Sequence, residues 1–287
     1  MKYRFVRDHA AQFPVTVICC VIEVSRSGYY RWSDRPHSRR RLDDVRLLVE
    51  IRAEFAASKE TYGRKRIHKA LKDKGISCGR NRVARLMKEA GLRPKQVKKF
   101  KATTNSKHSL SVAANILNRD FTATAPNTKW TTDITYVWTR EGWLYLAVVI
   151  DLYSRFIVGW AMSERMTRGL VMDALKMAIW RRKPGKGLIH HSDRGVQYAS
   201  DDYQALLVQY GMICSMSRKG DCWDNAVTES LFHTLKTELV YHRDWELRRE
   251  AKQEIFEYME VFYNRKRLHS TLGYKSPADY ERIANAA

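Results

Sequence analysis

The chain has 287 residues, 44% of them hydrophobic, which is enough to bury a core and to divide into two or more domains. Its formal net charge of +21 indicates a polyanionic partner, and residues 1–124 carry most of it, with 29 Lys and Arg against 11 Asp and Glu. No apolar stretch is long enough for a membrane helix, and the five cysteines lack C-x-x-C spacing. These features exclude a zinc finger and a disulfide framework and predict a protein of the reducing cytoplasm.

Residues 1–35 predict a helix, a tight turn and a second helix. Residues 17–24 are apolar except for Glu23, and Ser25 can cap the helix that follows. The pattern fits a helix-turn-helix that contacts DNA, and it fits equally a small three-helix module with an aromatic core. The aromatic residues concerned are Tyr29, Tyr30 and Trp32.

Residues 42–97 predict a basic helical module that binds DNA, after a polar linker at 36–41. An amphipathic helix begins the module, and helices near 62–71 and 80–88 follow, each with one apolar and one cationic face. Since few acids accompany these cations, phosphate contact is favoured over a solvated charged face. The apolar positions of the first helix are Val45, Leu48, Val49, Ile51 and Phe55, and those of the other two are Ile67, Ala70, Leu71, Val83, Leu86 and Met87. The predicted phosphate contacts are Arg64, Lys65, Lys69, Arg82 and Arg85.

Residues 98–124 predict a basic linker that begins with Lys98 and Lys99. Such a segment can follow a DNA backbone or simply connect two domains. The sequence leaves both interpretations open.

Residues 125–240 predict a mixed α/β domain. Strands at 128–137, 143–150 and 155–162 form an antiparallel meander, and a helix at 167–182 follows. Then come a strand, a helix, a strand and a final helix. This order is that of a ribonuclease H-like core, with a five-stranded mixed sheet and flanking helices.

Three carboxylates of this domain are predicted to converge. Asp133 lies in the first strand, on one face with Thr131 and Thr135, and Asp193 follows the fourth strand, where open α/β sheets place their chemistry. If Asp224 and Asn225 cap the last helix, Glu229 lies in its second turn. Singly, each acid could be a cap or part of a solvated turn. Jointly, they predict a site for hard divalent ions such as Mg²⁺ or Mn²⁺.

Two further groups in this domain receive structural interpretations. A hard-ion site does not need imidazole ligands, so His190 and His191 are expected to be hydrogen-bonded structural residues. Trp130, Trp143 and Trp160 are expected in the core, not as stacking platforms for bases.

Residues 241–287 predict a helix at 248–263 and a basic tail. In the tail, Arg265 and Arg267 can donate to phosphate, together with Lys266 and His269. Apolar side chains can instead attach the tail to the core, and both roles are compatible. These side chains are Leu272, Tyr274 and Tyr280.

Three sequence words, together with Lys236, resemble the DDE integrase core, and a fourth resembles the tail of OrfB transposases and related integrases. They are Trp130-Thr-Thr-Asp-Ile-Thr-Tyr136, His191-Ser-Asp-Arg-Gly-Val-Gln-Tyr198, Asp224-Asn-Ala-Val-Thr-Glu-Ser230 and the tail word from Tyr263 to Pro277. The match is nearest to the OrfB type of insertion-sequence transposase, encoded by two overlapping reading frames. The resemblance implies a DNA transposase that nicks element ends and transfers the freed 3′ hydroxyl to another strand. It implies that Asp133, Asp193 and Glu229 are catalytic and hold two Mg²⁺ or Mn²⁺ ions, and that Lys236 contacts the DNA backbone.

The same resemblance implies partners and leaves two rival functions. The expected partners are terminal inverted repeats and target DNA, further copies of the chain, and an upstream OrfA product or OrfA-OrfB fusion. Many relatives carry Gly where this chain has Glu23, in the turn of the first segment. A nuclease that only hydrolyses is disfavoured by Lys236 and the tail word. A helix-turn-helix regulator with an inactive core is disfavoured by the intact acids.

Overall fold

The computed structural model describes residues 1–34, 36, 38–95, 112–218 and 222–286. The chain divides into two compact units, Met1–Arg52 and Ala53–Ala287. Lys98 and Lys99 lie outside the described residues, as does the first part of the predicted basic linker. Within the described ranges, no helix is both long and apolar enough to cross a membrane.

The first unit consists of short helices around a small core. They are α1 (Lys2–His9), α2 (Val15–Val21), α3 (Arg26–Ser33) and the first part of α4 (Arg39–Ala57). Val6, Ile18, Cys19 and Tyr29 are buried together, whereas Tyr30 and Trp32 are exposed, so the expected aromatic core is reduced to one ring. Ser25 caps α3 as predicted, because its Oγ accepts from the backbone N–H of Gly28 at 2.9 Å.

The second unit begins with the end of α4, followed by α5 (Arg64–Asp73) and α6 (Arg80–Glu89). The predicted apolar faces of α5 and α6 are confirmed at Ile67, Leu71, Val83, Leu86 and Met87, which are buried, whereas the predicted Ala70 is half-buried.

The apolar face predicted for α4 is partly wrong. Leu47, Ile51 and Phe55 are buried at four-residue spacing, whereas Val45 and Val49 are exposed. With 3.6 residues per turn, the two valines lie on the far side of the helix from that buried stripe.

In the described part of the chain, five strands form one mixed sheet in the order β3-β2-β1-β4-β5. The first three strands pair antiparallel, and β4 and β5 run parallel to β1. The predicted ribonuclease H-like arrangement is therefore confirmed. The elements of this core are β1 (Lys129–Thr139), β2 (Gly142–Asp151), β3 (Ile157–Ser163), α7 (Arg168–Arg182), β4 (Ile189–Ser192), α8 (Asp201–Gln209) and β5 (Ile213–Met216).

Helices α7 and α8 cover one face of this sheet. Trp130, Ala147 and Val158 pack there against α7 side chains such as Leu175, all of them fully buried. Gly159 permits the close approach of α7 to β3, because a Cβ at this position would lie 2.2 Å from the carbonyl oxygen of Ala174.

The opposite face of β1 receives α9 (Ala226–Glu238), which follows a 3-10 turn at Cys222–Asn225. Another 3-10 turn (Val240–His242) leads to α10 (Arg248–Glu257), which continues as a π-helix over Tyr258–Tyr263. A 3-10 turn (Ser270–Leu272) and α11 (Pro277–Ala286) complete the tail.

The tail is attached to the edge strand β3, which confirms the expected attachment of the tail to the core. Asn264 accepts from the backbone N–H of Ile157 at 2.9 Å and donates to its carbonyl at 3.1 Å. Leu272 is buried, and the ring of Tyr280 lies 5.2 Å from that of Tyr153.

Candidate active site

Asp133 lies near the middle of β1, on the face that α9 covers. Its neighbours on that face, Thr131 and Thr135, are buried, whereas Asp133 itself is half-buried. The backbone N–H of Ile134 donates to Asp133 Oδ1 at 2.7 Å. Burial raises the pKa of Asp133 well above its ordinary range, and the negative charge of Asp193 raises it further. The carboxylate is therefore held in a place that disfavours its charge.

Asp193 follows the carboxyl end of β4, as predicted. Because β4 pairs with the beginning of β1, with His191 opposite Thr131, this end of the strand lies beside Asp133. Asp193 Oδ1 accepts from the backbone N–H of Gly195 at 2.8 Å. A Cβ at Gly195 would lie 3.0 Å from the same oxygen, so glycine allows the chain to turn tightly around the carboxylate.

Glu229 lies in the first turn of α9, not in the second as predicted, since the helix begins at Ala226. It is the most exposed of the three acids. Partial burial raises the pKa of Glu229, and its charge raises the pKa of Asp133 less than that of Asp193 does. Asp133 thus responds more strongly to the charge of Asp193 than to that of Glu229.

A buried hydrogen-bond cluster fixes the beginning of α9 against β1. Thr131 Oγ1 donates to Asn225 Oδ1 at 2.6 Å, and Thr228 Oγ1 donates to the same atom at 2.9 Å. Asn225 Nδ2 donates to the carbonyl of Thr132 at 3.3 Å. These contacts join the strand that carries Asp133 to the helix that carries Glu229. The sequence signal for them was two hydroxyl residues, one on the face of Asp133 and one at the start of the helix.

Asp224 and Asn225 do not cap α9 with their side chains, contrary to the prediction. The Asp224 carboxylate is fully buried and accepts from Asn115 Nδ2 at 2.8 Å, Arg119 Nε at 2.9 Å and the backbone N–H of Arg218 at 2.8 Å. Its pKa is held far below the ordinary range, chiefly by the Arg218 side chain. Asp224 therefore ties the segment before β1 to the loop that leads into α9.

The donor set of the three acids fits a hard divalent cation. Carboxylate oxygens are the ligands that Mg²⁺ and Mn²⁺ prefer, and a cation would relieve the mutual repulsion that raises the pKa of Asp133. Across the residues that the structure describes, no three His, Cys, Asp or Glu side chains already stand close enough to enclose a metal ion.

Lys236 lies on the same helix as Glu229, seven residues further on. Its ammonium acts on Asp133, whose pKa it lowers, and its Nζ lies 5.1 Å from the ring centroid of Tyr136. Burial lowers the pKa of Lys236, and the charge of Asp133 opposes that change. A cation thus stands at the edge of the acid cluster.

The two histidines before Asp193 are buried in the sheet. His191 Nδ1 lies 2.9 Å from Ser215 Oγ, and its Nε2 lies 3.2 Å from Ser217 Oγ. His190 Nε2 lies 2.7 Å from Tyr203 Oη. Burial lowers their pKa values to about 3 for His190 and about 4 for His191, so both rings are neutral. Both have structural partners, as expected.

Comparison with known proteins gives matches along most of the chain. A model of an HTH-like domain matches residues 42–100, and models of the integrase core domain match residues 123–222 and 229–283. The HTH-like match thus falls on the basic helical module and not on residues 1–35.

Two curated relatives span nearly the full length. The chain is 52% identical to the insertion element IS600 uncharacterized 31 kDa protein of Shigella sonnei, over 92% of this chain and 97% of that protein. It is 45% identical to transposase InsF for insertion sequence IS3A of Escherichia coli strain K12, over 98% of each. The chain belongs to the IS3-type family of DDE insertion-sequence transposases.

Solved structures similar to this transposase are more distant. A chain of the simian T-cell lymphotropic virus intasome, in complex with PP2A regulatory subunit B56 gamma, has a TM-score of 0.48 at 17% identity, covering 62% of this chain and 60% of that one. The HTLV-2 integrase catalytic core domain in complex with magnesium has a TM-score of 0.44 at 16% identity, and the match covers 56% of this chain and 99% of that one.

The cations predicted to contact DNA differ in their surroundings in this transposase. Arg64 and Lys65 are exposed on α5, and Arg265 is exposed in the tail. Lys69 pairs with Asp73 at 2.5 Å, and Arg85 pairs with Glu89 at 3.0 Å. Arg82 is half-buried. The three exposed cations are therefore the most accessible to phosphate.

The predicted role of Arg267 in DNA contact does not fit its position. Its guanidinium is buried and donates to both carboxylate oxygens of Glu238, through Nη2 at 2.7 Å and through Nε at 2.9 Å. A cation held in this way cannot reach a DNA phosphate, so we assign Arg267 to the interior of the protein.

Proposed function

We propose that this transposase cuts DNA at the ends of its insertion element and joins the freed 3′ hydroxyl to another strand. The observation that carries the proposal is the electrostatic cluster of Asp133, Asp193 and Glu229, with Lys236 at its edge, in a chain 45% identical to transposase InsF over 98% of its length. Perturbed acids that converge in an α/β crevice are typical of catalytic sites.

We assign the three carboxylates as ligands of two Mg²⁺ or Mn²⁺ ions. When bound, such ions supply activation of the attacking oxygen and stabilisation of the leaving oxygen. The protein's part is to hold the ligands: the strand β1 fixes Asp133, the tight turn at Gly195 fixes Asp193, and the cluster around Asn225 fixes the helix of Glu229. No side chain has to form a covalent bond with DNA.

Lys236 has the position of a phosphate anchor. Its ammonium stands beside Asp133 and is partly shielded from water, which strengthens its attraction for a phosphate. A phosphate bound there would lie against the acids and reduce the electrostatic cost of bringing a polyanion to a negative site. We therefore assign Lys236 to positioning the DNA strand, not to proton transfer.

The basic module and the tail supply further DNA contacts in this proposal. Arg64 and Lys65 on α5 and Arg265 in the tail present exposed charges that fit a phosphate backbone. We expect terminal inverted repeats and target DNA as substrates, and homo-oligomers to pair two ends. We further expect an upstream OrfA product or an OrfA-OrfB fusion as partner, with all of these in the bacterial cytoplasm where the DNA lies.

The proposal is tested by incubating the full chain with labelled candidate element ends and Mg²⁺. Both nicked strands and joined products are expected from the wild type, and neither from Asp193→Asn, which keeps the size of the side chain but not its charge. Nicks without joined products would instead support the hydrolytic nuclease.

A further inference from the structure

Three large aromatic side chains are exposed at the hairpin of β1 and β2. Tyr136, Trp138 and Trp143 expose 44%, 55% and 44% of their surface. The ring of Trp143 meets the other two edge to face, with centroids 5.0 Å from Tyr136 and 4.8 Å from Trp138. We name these three residues the aromatic hairpin patch. Trp143 was expected in the core, and that prediction is wrong.

The position of Trp143 along the sheet explains its exposure. Core side chains of β2 begin at Tyr145 and continue through Ala147 and Val149, under α7 and α8. Trp143 and its cross-strand partner Trp138 lie beyond this covered region, at the end of the hairpin. Packing of the core therefore does not explain why these three positions carry aromatic side chains.

Lys236 links the patch to the acid site. Tyr136 follows Asp133 by three residues on β1, so their side chains leave opposite faces of the strand, about 10 Å apart along it at 3.3 Å per residue. Lys236 joins the two, since its charge acts on Asp133 while its Nζ lies 5.1 Å from the centroid of the Tyr136 ring. A strand with one phosphate at the acids would thus have bases about three stacking steps away, at 3.4 Å per step, at the level of the patch.

Two occupants could cover such a patch, a second copy of the chain or nucleobases. A two-fold contact between copies puts the same patch on both sides, which would bring Lys236 close to its own symmetry mate at an already basic surface. A DNA strand instead brings phosphates to Lys236 and the flat faces of bases to the rings. Charge and shape both favour nucleobases.

Resting on the proposed function, we propose that the aromatic hairpin patch stacks unpaired nucleobases of the DNA strand whose phosphate lies at the three acids. Bases in an intact duplex are stacked on one another and cannot use the patch. The patch therefore favours DNA ends whose terminal base pairs have opened, and it holds the opened strand against the site of cleavage.

The test uses the full chain without divalent metal, so that DNA is bound but not cut. The probe is a duplex with three unpaired 3′ nucleotides that include 2-aminopurine, compared with the matching blunt duplex. Wild type is expected to quench the 2-aminopurine fluorescence and to bind the frayed duplex more tightly. Trp138→Ala and Trp143→Ala should each weaken that binding by about 5- to 150-fold, the effect of losing one base-aromatic stack, and leave blunt-duplex affinity within about 2-fold.

Matched variants separate stacking from other effects. Trp180→Ala removes a single tryptophan on α7 that is 78% exposed, and it should change neither affinity nor quenching. Trp138→Tyr keeps a ring and should retain most of the quenching, whereas Trp138→Leu keeps apolar surface without a ring and should lose it. Circular dichroism establishes that each variant is folded. If Trp138→Ala does not fold, the comparison of Trp138→Tyr with Trp138→Leu tests stacking in its place.

Three outcomes would overturn the inference. These are equal quenching by wild type and Trp138→Leu, equal losses on frayed and blunt duplexes, and a wild-type dimer that Trp138→Leu dissociates while DNA binding is unchanged. Failure of the proposed function is distinct, because it would appear as a protein that stacks the probe but neither nicks nor joins DNA when Mg²⁺ is supplied.

Discussion

Arg267 and Glu238 form a buried ion pair that joins the tail to α9, the helix that carries Glu229. Glu238 is the last residue of α9, and Nη2 of the Arg267 guanidinium lies 2.7 Å from Glu238 Oε1. Tyr258 Oη donates to Glu238 Oε2 at 2.7 Å, and Nη1 of Arg66 on α5 lies 3.5 Å from Glu238 Oε1. Three parts of the second unit therefore meet at one carboxylate: the basic module, the π-helix and the tail.

The first prediction follows from the burial of this pair. Arg267→Ala should lower the free energy of unfolding by roughly 3–5 kcal/mol, because it leaves the Glu238 charge buried without its main partner. Arg265→Ala, at the exposed neighbour, should change it by about 0.5 kcal/mol or less. Urea denaturation of both variants measures the difference. Equal and small effects would show that Glu238 finds another partner or water.

A second prediction concerns the acid site without metal. The pKa of Asp133 is raised in the folded protein by burial and by Asp193, so its ionised form destabilises the fold above the ordinary carboxyl pKa. Asp133→Asn should therefore raise the melting temperature of the metal-free protein at pH 7, by about 2–4 °C for each kcal/mol gained. The gain should shrink as the pH falls through the raised pKa of Asp133 toward the ordinary carboxyl pKa, because the wild-type acid then takes up its proton in the folded state.

The matching experiment adds metal. Excess Mg²⁺ or Mn²⁺ should raise the melting temperature of the wild type, because ligands that bind only the folded state stabilise it. The same addition should have little effect on Asp133→Asn. A wild type that is insensitive to both ions, or a variant that melts lower without metal, would contradict the electrostatic account of the site.

The sequence predicted the sheet and the acids well because these depend on local patterns. Alternating apolar and β-branched residues located β1 and its inward face, and the order of the elements then fixed where Asp133 and Asp193 meet. The shift of Glu229 by one turn shows the limit of such inference. The 3-10 turn at Cys222–Asn225 depends on where the Asp224 carboxylate is buried, which no local pattern contains.

Long-range partners decided the remaining differences. The side chain of Arg267 has the charge of a phosphate contact. Its actual partner, Glu238, lies 29 residues away along the chain, and no local pattern indicates that pairing. The large apolar side chain of Trp143 is typical of a core residue, but the helices that cover the sheet do not reach the end of its hairpin. In both cases the residue type was informative about chemistry and not about surroundings, because burial depends on which distant elements pack nearby.

The third prediction uses the pH dependence of stability. The pKa of Asp224 is held far below its ordinary range, first by the hydrogen bond from the Arg218 side chain. The ionised carboxylate therefore stabilises the folded state fully above the ordinary carboxyl pKa, and this stabilisation is lost as the pH falls below it. Asp224→Asn should therefore cost roughly 2 kcal/mol at pH 7. The difference from wild type should narrow below about pH 4. Urea melts at pH 7 and pH 3.5 test this, and a constant difference would assign the loss to packing.

The fourth prediction concerns DNA contact by α5. If Arg64 and Lys65 bind phosphates, replacing both with Gln should reduce the slope of log affinity against log salt by about 1.8, roughly 0.9 for each lost contact. Arg249→Gln with Arg282→Gln removes two exposed charges from the C-terminal helices and serves as the control. Anisotropy titrations from low to moderate salt give both slopes. Equal slopes for the two double variants would mean that the α5 cations are only a solvated face.

The most direct test of the central claim, that Asp133 binds a catalytic metal ion, exchanges its carboxylate for a thiol. Asp133→Cys should lose nicking and joining in Mg²⁺, which binds oxygen ligands, and regain a measurable part in Mn²⁺, which accepts sulfur more readily. Wild type should be active in both ions, and Asp133→Ala in neither. Activity of Asp133→Cys that is equally absent in both ions, or equally retained in both, would contradict the assignment of Asp133 as a metal ligand.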